Sequence, residues 1–219
     1  MIRALIFDFD GLILDTEMPE FLTWQEIYRE YGCDLPFAVW AQCIGTAEGF
    51  NSYDYLEAQL GCSVPRETLT TRRRARCAEL LQEQTVLPGV QDYIADAKRL
   101  GLRLGVASSS TRRWVSGHLA RLGLEAHFAC MSCSDDVLRT KPDPALYQLA
   151  LKTLGAQAEQ AIALEDSPNG ILAAKRAGIF CVAIPNALTR QLVLDQADLC
   201  LTSLADLSLE QLLMQKGWL

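Results

Sequence analysis

The stretch RALIFDFDGLILDTE, residues 3–17, decides the fold: an apolar, partly β-branched run stops abruptly in carboxylates. RALIFD (3–8) is short and nearly continuous in its apolar character, as a strand buried on both faces of a parallel sheet must be. Its end supplies Asp8 and Asp10, and the loop beyond it Asp15. Working outward, runs of the same kind recur at LRLGVAS (102–108), HFACMSC (127–133), AIALED (161–166), IFCVAI (179–184) and ADLCL (197–201). Between them lie segments of helical period near 89–100, 112–122, 143–154, 168–177 and 204–215. Strand and helix therefore alternate, which predicts the α/β class, with a Rossmann-like parallel sheet core and crossover helices. Gly101, Gly123, Gly155 and Gly178 each follow one of the helical segments, where a helix C-terminus turns through positive φ.

One stretch breaks the alternation. Residues 16–84 hold no convincing strand and several helical patterns, with Phe21, Trp24, Ile27, Tyr28 and Tyr31 at helical spacing. Such a stripe predicts the core of a helical module, the lining of a ligand pocket being the alternative. Pro36, Gly45 and Gly61 punctuate the module, and VLPGV (86–90) marks the return. The predicted division is a core of residues 1–15 and 85–219, with a helical cap domain, 16–84, inserted after the first strand. Arg72, Arg73, Arg74 and Arg76 form the densest basic run, and consecutive helical residues point in different directions, so a solvated cap face is expected.

Composition narrows the function. The chain has 219 residues, enough for one or two domains, with 50% hydrophobic and 21% charged residues, so disorder and fibrous classes are disfavoured. Twenty Lys and Arg against 27 Asp and Glu leave a net charge of -7, which repels polyanions, and no nucleic-acid partner is expected. No window holds the ~20 apolar residues of a membrane span. The initial apolar run is broken by Asp8 and Asp10, unlike a secretion signal, so reduced thiols and a cytoplasmic location are expected for the eight cysteines. Cys130 and Cys133 have CxxC spacing but no second pair, and read as small buried hydrophobes. The sequence does not give the oligomeric state.

Ligands of open parallel sheets bind beyond the carboxyl ends of the strands. The predicted strands place there Asp8 and Asp10, then Ser108, Ser109 and Ser110, then Lys141 in TKPDP, then Glu165 and Asp166. Each alone has an ordinary reading: Asp15 or Ser110 as a helix cap, Lys141 as a loop charge. Together, at least three converging carboxylates need a cation as well as Lys141 to offset their repulsion. The donor set is all oxygen, which selects a hard divalent ion, Mg²⁺. A helix starting near Thr111 or Arg112 would turn its N-terminus toward a phosphate. His118 and His127 receive no role, and Asp143 is expected to cap the helix that follows it.

DFDGLILDTE (8–17), Ser108 after LGVA, Lys141 in TKPDP and the acidic pair in LEDSPNGI (164–171) resemble the four motifs of the haloacid dehalogenase superfamily. The chain looks most like its β-phosphoglucomutase-like branch of phosphatases, over essentially its whole length. The resemblance implies a Mg²⁺-dependent phosphatase of a small phosphoester, with Asp8 as the nucleophile that becomes an aspartyl-phosphate. It implies Asp10 as the proton donor to the leaving alcohol and later the base for water. Ser108 and the Ser109 backbone N–H would hold phosphoryl oxygens, and Lys141 would neutralise nucleophile and phosphate. Asp8, the Asp10 carbonyl and Asp166 would hold the metal, with Glu165 a direct or outer ligand.

Three other readings stand beside it. A phosphomutase of the same branch would use a basic cap loop and a histidine after the first motif. CIGTAEGF (43–50) has no Lys or Arg, and it offers Glu48, with Glu20 at the histidine's place, so hydrolysis is expected to dominate. A non-enzymatic phospho-receiver also gathers acids, a hydroxyl and a lysine, but carries no inserted cap. A carbon–halogen hydrolase needs no metal and would leave Asp10 and the acidic pair without a task.

Overall fold

The computed structural model describes residues 1–46 and 50–218. β1 (Ala4–Phe7) is buried along its whole length between β2 (Arg103–Ala107) and β4 (Ala161–Glu165), parallel to both. β3 (Cys130–Ser132) lies outside β2, while β5 (Phe180–Ala183) and β6 (Leu199–Cys200) follow β4. Among the described residues the sheet has six strands in the order β3-β2-β1-β4-β5-β6, all parallel. The order reverses between β1 and β4, the switch point at which such sheets open a crevice.

Alternate residues of each strand feed two apolar layers. Leu5, Phe7, Val106, Ile162 and Leu164 face α5 (Val90–Arg99), α6 (Arg112–Arg121) and α9 (Leu209–Gln215). Ala4, Ile6, Ala107, Ala161, Ala163 and Ala183 face α7 (Ala145–Leu154) and α8 (Pro168–Arg176). The small alanines let α7 and α8 close on the sheet edge that carries the site. Truncating Phe7, fully buried in the first layer, costs about 3–5 kcal/mol by the usual price of a large core cavity.

Gly101, Gly123, Gly155 and Gly178 all take positive φ, between 58° and 79°, as their positions predict. Two boundaries differ from expectation. The segment 204–215 is broken, because Ser208 Oγ accepts Gln211 N–H at 3.2 Å while Gln211 Oε1 accepts Ser208 N–H at 3.1 Å. This reciprocal cap starts α9 afresh after a short turn at Leu204–Asp206. The expected strand 127–133 shrinks to Cys130–Ser132, since Glu125–His127 coils into a 3₁₀ turn.

Between β1 and α5 the chain forms α1 (Glu17–Glu30), α2 (Phe37–Trp40), α3 (Ser52–Leu60) and α4 (Arg66–Glu83). These helices close round a cluster of Phe21, Trp24, Ile27, Tyr28, Leu56 and Leu69, which Leu188 from beyond β5 joins, so the aromatic stripe of α1 is core, with Tyr31 packed at its margin. Tyr28 donates its buried hydroxyl to Ser52 O at 2.5 Å, tying α1 to α3. The chain leaves and re-enters the sheet domain side by side: Leu14 pairs antiparallel with Val86, and Leu87 N–H reaches Ile13 O at 3.0 Å. Among the described residues no helix is long and apolar enough to cross a membrane. Cys130 and Cys133 are unbridged, and burial pushes both thiols up to about 11.

Candidate active site

Asp8 begins the site because β1 delivers it to the switch point, where its N–H bonds Leu164 O of β4 at 2.9 Å. β4 in turn delivers Glu165 and Asp166. Lys141, from the loop before α7, donates to Asp8 Oδ1 at 2.5 Å and to Glu165 Oε1 at 2.6 Å, and all three side chains are buried. Glu165 Oε1 also accepts the Tyr147 hydroxyl at 2.5 Å, and its Oε2 accepts Asp166 N–H at 3.2 Å and Ser167 Oγ at 3.4 Å. Asn186 Nδ2 donates to Asp166 Oδ2 at 2.7 Å. These bonds leave Asp8 Oδ2 and Asp166 Oδ1 untouched.

Asp8, Glu165 and Asp166 each offer an oxygen within 4.8 Å of the others, with one lysine against three carboxylates. Burial pushes Asp8 up to about 8 although Lys141 pulls the other way. Burial, with Asp8 and Glu165 adding to it, raises Asp166 well above the carboxylate range. Burial works against the Lys141 charge too, but Asp8 and Glu165 outweigh it and hold the ammonium above its usual range. A pocket that drives two carboxylates toward protonation, with only oxygen donors, has the chemistry of a hard-cation site.

Asp10 turns away from this cluster. Its Oδ1 accepts Thr16 Oγ1 and Trp114 Nε1, each at 2.9 Å, and its Oδ2 accepts Ser108 Oγ at 3.0 Å and Ser110 Oγ at 2.7 Å. The serines end β2 and precede α6, whose cap is Thr111. Ser109 Oγ donates to Gly45 O at 3.2 Å, and Asn169 Nδ2 to Ile44 O at 2.9 Å, so the loop after α2 touches the sheet edge. Gly45 has φ 75°, and a Cβ there would lie 2.2 Å from Ser167 Oγ. Only glycine fits both demands.

A cavity of about 690 Å³ opens between this edge and the helical module. Asp8, Asp10, Ser109, Trp114 and His118 line one side, and Glu17, Glu20, Arg73, Arg74 and Cys77 the other. Burial, reinforced by Asp10 and Glu20, raises Glu17 well above the carboxylate range. Three expectations change here. Arg73 departs from the solvated face on which Arg72, Arg74 and Arg76 are exposed: it is half-buried beside the cavity, pairs with Glu20 and stacks over Trp24 at 4.8 Å. Glu20 is accordingly matched by a cation, and α4 supplies the basic groups that the loop 43–50 lacks. His118 lines the cavity and stacks on Phe9, between the two aspartates, with ring centroids 6.1 Å apart. Glu48 lies outside the described residues. Asp143 accepts Ala145 N–H at 3.0 Å at the start of α7, as expected, and Asp15 accepts Met18 N–H at 3.1 Å at the start of α1.

Thr16, Trp114, Tyr147 and Asn186 join the site without having been singled out in the sequence. Asn186 follows the carboxyl end of β5 and was open to the same strand-end rule that found the others. Tyr147 and Trp114 sit on helices, where an aromatic reads as core.

Comparison with known proteins follows this geometry. The profile of the haloacid dehalogenase-like hydrolase family matches residues 5–184. YhcW of Bacillus subtilis (strain 168), whose name describes it as a candidate phosphatase, is 49% identical over 213 residues, covering 97% of each chain. A phosphorylated carbohydrates phosphatase of Thermotoga maritima is 32% identical over 180 residues, 81% of this chain and 82% of that protein. The crystal structure of CbbY from Rhodobacter sphaeroides in complex with phosphate superposes with a TM-score of 0.74 at 30% identity, covering 94% of this chain and 96% of that one. With the profile spanning most of the sheet and all of the helical insertion, the chain belongs to the haloacid dehalogenase-like hydrolases.

Proposed function

We propose that this hydrolase is a phosphatase that cleaves a small phosphorylated metabolite through an aspartyl-phosphate on Asp8, with residues 16–84 acting as the cap over the core. The carrying observation is the buried Lys141 bridging Glu165 and Asp8, of which Asp8 lines the cavity, with the second oxygen of Asp8 left open. That oxygen attacks phosphorus and displaces the substrate alcohol. Asp10 gives the departing oxygen its proton, then takes one from the water that attacks the aspartyl-phosphate, so phosphate leaves and Asp8 is restored. Ser108 and the Ser109 N–H hold phosphoryl oxygens beside the N-terminus of α6. Lys141 offsets the charge of nucleophile and phosphoryl group, and Glu165, itself held by four donors, fixes Lys141.

Asp8, the Asp10 carbonyl and Asp166 would hold a divalent cation such as Mg²⁺, Glu165 lying beside them as a direct or outer ligand. Bound there, it reduces the repulsion between carboxylate and phosphoryl group. The size of the cavity and the carbohydrate phosphatase among the relatives support a sugar-phosphate-sized substrate.

The test is a phosphate-release screen over sugar phosphates, nucleotides and other phosphoesters, with Mg²⁺ or with EDTA. Activity is expected only with the cation and is lost by several orders of magnitude in Asp8→Asn, single catalytic groups being worth ~10²–10⁴ or more. Full activity in EDTA, or near-normal turnover of Asp8→Asn, overturns the mechanism. A parallel incubation with β-glucose 1-phosphate and a trace of glucose 1,6-bisphosphate is expected to release phosphate. Efficient formation of glucose 6-phosphate with little phosphate would identify a mutase instead.

A further inference from the structure

We infer that Trp114 is a positioning residue that aims the Asp10 carboxylate at the leaving oxygen. This inference rests on the proposed role of Asp10 as proton donor. Of the four donors on Asp10, three have other commitments during turnover. Ser108, and Ser110 beside it, end β2 where the phosphoryl oxygens would be held. Thr16 stands at the root of α1, where the helical module joins the sheet domain.

Trp114 differs in two respects. Its indole lies in the first turn of α6, on the sheet domain, and its ring meets His118 edge-on with centroids 4.4 Å apart. His118 in turn stacks on Phe9. Phe9, His118, Trp114 and Asp10 thus form a closed chain of contacts that begins and ends on adjacent residues of the backbone carrying Asp8. Any shift of Asp10 relative to Asp8 must also shift these rings.

The second difference is chemical. Hydroxyls can turn to donate or accept, whereas an indole N–H only donates. Trp114 therefore keeps Oδ1 as the acceptor oxygen of Asp10 and leaves Oδ2, toward Ser108 and Ser110, as the oxygen that carries the transferable proton. When substrate draws the serine hydroxyls to itself, the Trp114 bond still holds the carboxylate in that orientation. Misaiming a catalytic group by a fraction of its reach is costly, up to ~10²-fold for about 1 Å.

The test exploits the leaving group. An alkoxide must be protonated as it departs, while p-nitrophenolate leaves without help. Trp114→Phe retains the ring against His118 and removes the N–H. Incorporating benzothienylalanine at position 114, which replaces the N–H by sulfur at nearly the same shape, covers the case in which Trp114→Phe folds poorly. The readout is kcat/KM, which reports the first chemical step, for the best alkyl phosphate against p-nitrophenyl phosphate. Both variants are expected to lower the alkyl-to-aryl ratio about tenfold or more, with a smaller change in KM, and Asp10→Asn to lower it further. A ratio that falls in Asp10→Asn but stays at the wild-type value in both position-114 variants overturns the role of Trp114. A ratio unchanged in Asp10→Asn itself overturns Asp10 as the acid, and the inference falls with it.

Discussion

Arg73 of α4 and Glu20 of α1 are ion-paired on the helical wall of the cavity, although 53 residues separate them in the chain. The pair is largely sheltered, with the Arg73 side chain 12% and Glu20 30% exposed. Glu20 thereby consumes the charge that Arg73 would otherwise offer to an anionic substituent of the substrate. Glu20→Gln is expected to raise kcat/KM for fructose 1,6-bisphosphate relative to fructose 6-phosphate about tenfold. A like-charge pair costs ~4 kcal/mol at about 4 Å in a dielectric near 20, and partial exposure reduces that to roughly the 1.4 kcal/mol of a tenfold change. A ratio equal to wild type would show that the pair does not set substrate charge.

Lys141 is the counter-charge of a buried acid cluster, so its loss is a stability effect before it is a catalytic one. Lys141→Met leaves Asp8 and Glu165 unpaired in the interior and should destabilise the metal-free protein by about 3–5 kcal/mol. Urea denaturation in EDTA measures this. A loss below about 1 kcal/mol would mean that Lys141 is not the counter-charge that holds this cluster in the fold.

The raised Asp8 gives a stability slope with a definite sign. A carboxyl whose folded-state value is raised, here to about 8, contributes stability that is complete below its ordinary value and is lost as pH rises through the folded value. In EDTA, Tm should therefore fall between about pH 4 and pH 8, and a cation that competes with protons for the same oxygens should raise Tm more at about pH 8.5 than at about pH 5.5. Thermal melts across that range test it, and Asp8→Asn should flatten the EDTA curve. A Mg²⁺ shift larger at low pH would contradict the assignment of the cation to this cluster.

Much of this was legible in the sequence because strand ends and helix ends leave local marks. The apolar runs placed all six strands, and the carboxyl-end rule brought Asp8, Asp10, Ser108, Lys141, Glu165 and Asp166 to one edge. What escaped depends on how elements pack. Four arginines in five positions of α4 look alike until α1 lies against that helix and selects Arg73 for Glu20. Trp114 and Tyr147 show the apolar periodicity of core residues, yet each spends its one polar atom on a site carboxylate. The sequence displays the ring and hides where its hydrogen points.

Gly170 offers a stringent check on the geometry behind Lys141. Alanine in place of glycine within a helix ordinarily stabilises by up to ~1 kcal/mol. In α8, a Cβ at position 170 would lie 1.9 Å from Glu165 Oε2, so Gly170→Ala must push aside the carboxylate that holds Lys141. Loss of stability and at least tenfold lower turnover are expected, while Gly117→Ala in α6, with nothing within 4 Å of the added carbon, should gain stability. Equal gains in the two variants would show that Glu165 does not need its present position.

The pairing of Leu14 with Val86 makes the entire helical insertion equivalent, from the sheet's side, to a tight turn. Its two crossings lie next to each other, so whatever is spliced between them imposes no change on strand order and no stretch on β1. Beyond those two crossings the module rests on the sheet domain through non-covalent contacts, Gly45 O with Ser109 and Ile44 O with Asn169 among them. Residues between those two crossings can therefore change in number and kind without disturbing the strands that deliver Asp8, Glu165 and Asp166.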